Sequence, residues 1–370
     1  MKLCSMPQNF RECVALACGM VPTPLMDTLM GLLLAKAIIA ATTIGIFDAL
    51  EAEPLTAAEI AQRCGSDTNA TERLVRALFA CKYLKYENNH FKLAPVSRRW
   101  LPRKASRSLH SAILHRSLDL RFMNFEEYVR HGKSQEFHSA LSPEEWCVYH
   151  QGQADHAVQI IDEVMERIAF PAHATDLLDL GGGHGLYSVG FCGRYPNLRA
   201  RVLDLATTVG ELEAKRAPDS VYSRVQFEVG DIRTVSLQPH STDVILLANV
   251  VHHFDCPTNR SLMQRAAMAL RPGGIVIVID AFRPFSLQQT GQLEGLLDLY
   301  FGAASGVGLW TLEEIQEWSR KAGLDTLPPR TLRRMPICSM QVARKARSRA
   351  NEDQSAWNVV GALRKRSNEQ

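Results

Sequence analysis

The residues best suited to chemistry fall between positions 177 and 282, at the ends of short apolar runs. "LLDLGGGHGLYS", Leu177 to Ser188, sets Gly181, Gly182, Gly183 and Gly185 around His184, behind a run that carries Asp179. Glycine loses more backbone freedom on folding than any other residue, so a cluster of it marks a backbone that something approaches closely. Asp204 lies 23 residues after Gly181, in the next run, "RARVLDL" (199–205). A carboxylate at that point accepts hydrogen bonds from both hydroxyls of a ribose. Asp231 closes the third run, "RVQFEVGD" (224–231), and Ile232 follows it. Such a pair suits an adenine, the carboxylate taking the amino protons and the isoleucine lying against the ring. Either aspartate alone also reads as a helix cap. A glycine loop, an acid and an acid on three successive runs point to a nucleoside.

The form of the loop narrows the ligand further. It reads G-x-G-x-G, not the G-x-G-x-x-G that offers a helix N-terminus to pyrophosphate. Asp179 stands two residues before the first glycine, and a carboxylate repels a phosphate in a partly buried site. An adenosine that carries a positive group, such as a sulfonium, fits better. Gly181, Gly183 and Gly185 would then let the backbone lie against that ligand, and His184 reads as a helix-start residue. A fourth run, "DVILLANVV" (243–251), leads into His252 and His253, and a fifth, "GIVIVIDAF" (274–282), holds Asp280. Neighbouring residues in a turn point in different directions, so the two histidines cannot both face one substrate.

These residues need a scaffold that brings strand ends together. Runs this short and apolar suit strands buried on both faces of a parallel sheet, and helical segments between them make βαβ units. The expected fold class is therefore α/β, a doubly wound Rossmann-like sheet. In front of it lie helical stretches at Leu25–Leu50, Leu55–Gly65 and Asp67–Leu84. The second carries a capping box, Thr56 with Glu59, and ends at Gly65. "YLKYENNHFKLAP" then reads as a hairpin turning at Asn88-Asn89. Three helices and a hairpin are the order of a winged helix. The organisation expected is a poorly ordered lead (1–24), a winged-helix-like domain (25–105), a helical connector contributing to a substrate pocket (106–172), the ligand-binding α/β domain (173–345) and a polar basic tail (346–370).

Composition excludes several classes. Hydrophobic residues make up 46% and charged residues 22% of the 370, which suits an ordinary soluble core. A net charge of +3 argues for no polyanion partner. The nine cysteines stand singly with no C-x-x-C pair, which reads as reduced thiols in a cytoplasmic protein and as no zinc site. "MGLLLAKAIIAATTIGIF" (30–47) is apolar enough for a membrane span, but Lys36 near its centre favours a buried helix. The basic run "SRRWLPRKASR" (97–107) reads as a solvated link. Arg73, Arg76 and Lys82 mix with Glu72 and apolar residues, a poor DNA-recognition pattern and a good interface.

"LLDLGGGHG", "VLDL", "VGDI", "NVVHHF" and "LRPGGIVIVID" resemble, in order, the motifs of class I S-adenosylmethionine-dependent methyltransferases. With the winged-helix-like front end, residues of about 25–345 are similar to small-molecule O-methyltransferases of the plant caffeate and the bacterial hydroxyneurosporene or acetylserotonin type. The resemblance implies S-adenosyl-L-methionine as cofactor, with Gly181, Asp204, Asp231 and Ile232 contacting it, and Asp179, Gly183 and Gly185 join them from the reading of the loop. It implies no metal, a homodimer formed through the N-terminal domain, and no nucleic-acid or membrane partner. By the same resemblance His252 is the general base, removing a proton from a hydroxyl on a small aromatic or secondary-metabolite substrate. Asp280 is the acid that orients it. Two departures stand out: the second orienting acid falls near Leu309, where there is none, and a lysine of the plant enzymes is Ala248. Two other readings remain open: a ligand-sensing winged-helix regulator, and a methyltransferase-like protein that works by proximity alone or has lost transfer.

Overall fold

The computed structural model describes residues 6–134, 140–214 and 221–347. Most of the expected tail, from 348 on, and the first five residues lie outside these. Two units are distinguished: Met1–Met123 with His138–Gln159 and Gly291–Leu293, and Asn124–Phe137 with Ile160–Thr290 and Glu294–Gln370.

The first unit is helical with one hairpin. It contains α1 (Phe10–Ala17), α2 (Thr23–Thr43), α3 (Ile46–Ala49), α4 (Ala57–Cys64), α5 (Thr68–Ala80), β1 (Leu84–Glu87), β2 (His90–Leu93), α6 (Pro95–Trp100) and α7 (His110–Phe122). Within the lead expected to be poorly ordered, α1 forms a helix with no buried residue, and Asn9 caps it, accepting a hydrogen bond from the Glu12 N–H. The capping box of α4 is present, with Thr56 and Glu59 each satisfying the other's backbone N–H. The hairpin turns at Asn88 and Asn89 with φ of +50° and +64°, a turn that matches the twist of the strands it joins. Ile46, Phe47, Leu50, Ile60, Val75 and Leu78 form the core. α2 is not the buried helix expected. Only Ala41 and Thr42 are buried, while Leu25, Leu29, Leu32 and Leu33 are exposed. The core is small, and only the C-terminal end of α2, from Ile38 on, reaches it.

The second unit is built on one sheet. After α8 (Phe125–His131) and the latter part of α9 (Pro143–Arg167) come β3 (Asp176–Leu180), α10 (Leu186–Arg194), β4 (Arg199–Asp204), α11 (Ala206–Ala214), β5 (Val225–Val229) and β6 (Thr242–Ala248). They are followed by α12 (Cys256–Ala269), β7 (Leu270–Ala281), α13 (Gln292–Ser305), α14 (Leu312–Lys321), β8 (Leu324–Thr326), β9 (Arg330–Thr331) and β10 (Cys338–Lys345). The strand order is β5-β4-β3-β6-β7-β10-β8, with β9 paired to β10. β3 to β7 run parallel, and β10 is antiparallel to both β7 and β8. β3 to β5 step outward, and β6 then returns to the other side of β3. That reversal opens a crevice beyond the carboxyl ends of β3 and β6, where doubly wound sheets bind ligands. The antiparallel edge is absent from the sequence reading because β10 buries polar Ser339 and Gln341 among its apolar residues. Gln341 Nε2 is satisfied by the Leu327 and Val342 carbonyls.

Candidate active site

The glycine loop begins where β3 ends. Gly181, Gly183 and Gly185 have φ of +71°, +49° and +66°, a region that side chains disfavour. Most of the cluster, however, is dictated by the protein's own packing. A Cβ on Gly182 would lie 2.6 Å from both Asp179 Cγ and Val202 Cγ1. A Cβ on Gly181 would lie 2.9 Å from Val250 Cγ2, and one on Gly185 would lie 3.0 Å from the Phe227 ring. Gly183 alone faces open space, with nothing within 4 Å of a Cβ there. His184 Nδ1 accepts a hydrogen bond of 3.1 Å from the Leu186 N–H, so it serves the start of α10.

The carboxylates divide by exposure. Asp179 lies beneath the loop and has no accessible surface. One of its oxygens accepts a 2.7 Å hydrogen bond from Ser188 Oγ. Burial pushes its carboxyl up to about 7, and the Asp204 charge adds to the effect. Asp179 therefore supports the loop from below and offers no oxygen to a ligand in this conformation. Asp204 is half-buried at the end of β4. Its Oδ2 accepts from the Gly183 N–H at 2.8 Å and its Oδ1 from the Leu205 N–H at 2.7 Å. The loop and the acid after β4 are thus joined directly. Asp231 is also half-buried, and Arg233 grips both its oxygens, Nε at 2.9–3.0 Å and Nη2 at 2.6 Å. These hydrogen bonds hold Asp231 below the usual carboxylate range. Arg233 was not singled out from sequence, although an arginine two residues after an aspartate is a short-range cue. Ile232 is buried, and its Cδ1 would lie 3.4 Å from a Cβ on Gly181.

His252 sits in a single 3-10 turn, Val251–His253, that follows β6. The turn is entered through Asn249, whose φ of +55° is one that asparagine tolerates. His252 is 4% exposed, and its Nδ1 lies 2.7 Å from Asp280 Oδ1. Asp280, on β7, is wholly buried and also accepts from the Ala281 N–H (2.8 Å) and the Val251 N–H (3.2 Å). Asp280 Oδ1 can only accept in this contact if the ring proton is on Nδ1, the tautomer that leaves Nε2 as the basic nitrogen. The rings of Phe301 and His253 lie 4.0 and 4.1 Å from that of His252. His253 is more exposed and farther from Phe301, at 6.4 Å.

Other groups secure the turn, and none of them stood out in the sequence. Ser305 Oγ donates to the His252 carbonyl at 3.2 Å. Asn259 Nδ2 donates to the carbonyls of Val251 (2.9 Å) and Phe254 (2.7 Å), and Trp310 Nε1 reaches the same two at 2.9 and 3.2 Å. Where a second acid was sought, Leu309 is buried and its backbone is tied at both ends. Its N–H donates to Asp298 Oδ1 at 2.7 Å, and its carbonyl accepts from Arg283 Nε at 2.8 Å. Glu314 is engaged in the capping box of α14.

Comparison with known proteins follows the same division of the chain. A model described as the O-methyltransferase domain matches residues 108–324, and one described as the O-methyltransferase dimerisation domain matches residues 26–103. The sequence is 28% identical over 272 residues to acetylserotonin O-methyltransferase of Bos taurus, covering 68% of this chain and 77% of that protein. It is 25% identical over 262 residues to the N,N-dimethyltransferase OxyT of Streptomyces rimosus, covering 66% and 74%. The fold is similar to that of human N-acetylserotonin methyltransferase in complex with SAM, with a TM-score of 0.78 and 20% identity over 92% of this chain and 99% of that one.

Proposed function

The chain belongs to the O-methyltransferase family, and from that premise we propose that it methylates a hydroxyl of a small, aromatic or secondary-metabolite substrate with His252 as general base. The single observation that carries this reading is the buried 2.7 Å contact between His252 Nδ1 and Asp280 Oδ1. It stands one packed contact away from the glycine loop, through Val250 and Gly181.

S-adenosylmethionine, when bound, supplies an electrophilic methyl carbon on a sulfonium. The residues present fit it. Gly183 is the loop position whose missing side chain leaves open space. Asp204 keeps acceptor capacity for ribose hydroxyls beyond the two N–H groups it already holds, since a carboxylate has about four acceptor sites. Asp231 already takes four contacts from Arg233, one from its N–H and three from its guanidinium, so it would accept an adenine amino proton in exchange for one of them. Gly181, Gly185 and Ile232 shape the floor of this site, and Asp179 supports it. His252 Nε2 takes the proton of the acceptor hydroxyl as its oxygen attacks. Asp280 holds the Nδ1–H and balances the imidazolium that results. Burial of both side chains keeps water from competing for the proton.

The test uses a metabolite extract and methyl-labelled S-adenosylmethionine, with products read by mass spectrometry. The His252→Ala variant is expected to lose most turnover and His253→Ala much less. Near-native turnover by His252→Ala at neutral pH would replace base catalysis with alignment alone.

Two copies are proposed to pair through the first unit. The exposed apolar residues Leu25, Leu29, Leu32 and Leu33 of α2 support this, as does the dimerisation-domain match over 26–103. The scattered cysteines support a cytoplasmic setting.

A further inference from the structure

We infer that Trp310 is a positioning residue for His252, its indole N–H clamping the carbonyls of Val251 and Phe254 on either side of the histidine. The inference rests on the base role proposed above. Asp280 fixes one atom of the ring, Nδ1. The direction in which Nε2 points also depends on the main chain that carries the ring, and that chain is weakly held by itself. It is one 3-10 turn, closed by hydrogen bonds of 3.0 Å (His253 N–H to Val250) and 3.3 Å (Phe254 N–H to Val251). Such turns have poorer hydrogen-bond geometry than an α-helix. Trp310 Nε1 adds contacts of 2.9 and 3.2 Å to carbonyls one residue before and two residues after His252, which it shares with Asn259 Nδ2 at 2.9 and 2.7 Å, so that the two donors hold them from different elements.

Trp310 is itself anchored to the elements that touch the histidine. Its carbonyl accepts from the Arg283 N–H at 3.1 Å, and Arg283 lies three residues after Asp280. The preceding residue, Leu309, is held by Arg283 Nε and by Asp298. Asp298 is on α13, one turn before Phe301, which lies against the His252 ring. The Trp310 ring packs edge-on against Trp318 at 4.9 Å, which fixes the indole plane. The resemblance implies a second acid in this stretch. An acid there would act on the imidazole through its charge. An indole N–H on backbone carbonyls carries no charge and acts on direction alone.

Removing the N–H while keeping an aromatic ring is therefore expected to misaim the base without weakening the methyl donor. A misplacement of about 1 Å in a catalytic group costs up to about a hundredfold. Trp310→Phe should lower kcat about tenfold, leave the KM for S-adenosylmethionine within about twofold, and mix the His252 tautomers seen by ¹⁵N NMR of the imidazole. Trp310→His, which restores a ring N–H, should recover part of the kcat. A wild-type kcat and a single His252 tautomer in Trp310→Phe overturn the inference. If that variant does not fold, Trp310→Leu, which also lacks a donor, is read by the same two measurements and with the same criterion. His252→Ala, assayed in parallel, separates the two failures: near-native turnover there defeats the base reading, whereas loss there with normal Trp310→Phe defeats only the positioning role.

Discussion

The loop after β3 and the turn after β6 lie side by side and are built in opposite ways. Bare backbone packed against side chains shapes the loop: Gly181 against Val250, Gly182 against Asp179 and Val202, Gly185 against Phe227. Its acidic neighbours Asp204 and Asp231 stay partly exposed. Hydrogen bonds donated by Asn259, Ser305 and Trp310 and accepted by Asp280 shape the turn, and His252 and Asp280 are buried. The difference follows from what each must do. A surface that holds a ligand needs acceptors with capacity left over. A group that moves a proton needs its direction over-determined, because rate falls steeply with misalignment. Gly181 is where the two designs meet, its missing side chain taken up by Val250 of the turn.

Substitutions on the two sides should fail in different ways. The largest effect belongs to the turn: His252→Ala should cost about 10²–10⁴ in kcat with donor binding intact, read by steady-state kinetics and calorimetry. On the loop side the loss should be structural. Gly182→Ala drives a Cβ to 2.6 Å from two buried neighbours and should cost about 1–3 kcal/mol in urea denaturation. If it instead leaves stability unchanged and lowers only activity, packing does not account for that glycine. Asp204→Asn should weaken S-adenosylmethionine about tenfold by calorimetry, the loss of one charge-assisted hydrogen bond, with kcat at saturating donor nearly unchanged. A matching fall in kcat would mean that the loop and the turn are not separable.

The last effect is a slope. Asp179 is raised to about 7 in the folded chain by its burial, well above a carboxyl in the unfolded chain. Between about pH 4 and pH 7 the folded state therefore binds the proton that the unfolded state has released. Stability contributed by this group falls as pH rises through that window, on the order of 1 kcal/mol per pH unit. Asp179→Asn should flatten the dependence, as measured by denaturation at pH 5 and pH 6. An unchanged slope would place the titrating group elsewhere.

Much of this was legible in the chain itself. β3, β6 and β7 announce themselves because a strand covered on both faces must be apolar throughout, whereas β4 and the edge strand β5 alternate buried residues with exposed Arg199 and Gln226. The hairpin turn at Asn88-Asn89 and the capping box at Thr56 are local chemistry and need no distant partner. Asp204, Asp231 and His252 were visible because they lie at the ends of these strands. Asn259, Ser305 and Trp310 were not, since each acts on a backbone carbonyl, and any polar side chain at any spacing can do that. Arg233 is different, since it pairs with a carboxylate only two residues away and that spacing is a cue the chain does carry; α1 and the exposed face of α2 are not legible because hydrophobic pattern does not say how large a core it will find.

The amino-acid sequence by itself determined the succession of the five parallel strands, the placing of a glycine loop and carboxylates at their ends, and a histidine followed by an acid on the next strand. These are properties of period, turn chemistry and strand position, which short segments carry alone. Only the tertiary structure decided that Asp179 lies under the loop, that packing accounts for three of the four glycines while Gly183 faces open space, and that His252 is paired with Asp280. Those depend on which side chains from distant segments arrive at the same few ångströms, and no local pattern encodes that meeting.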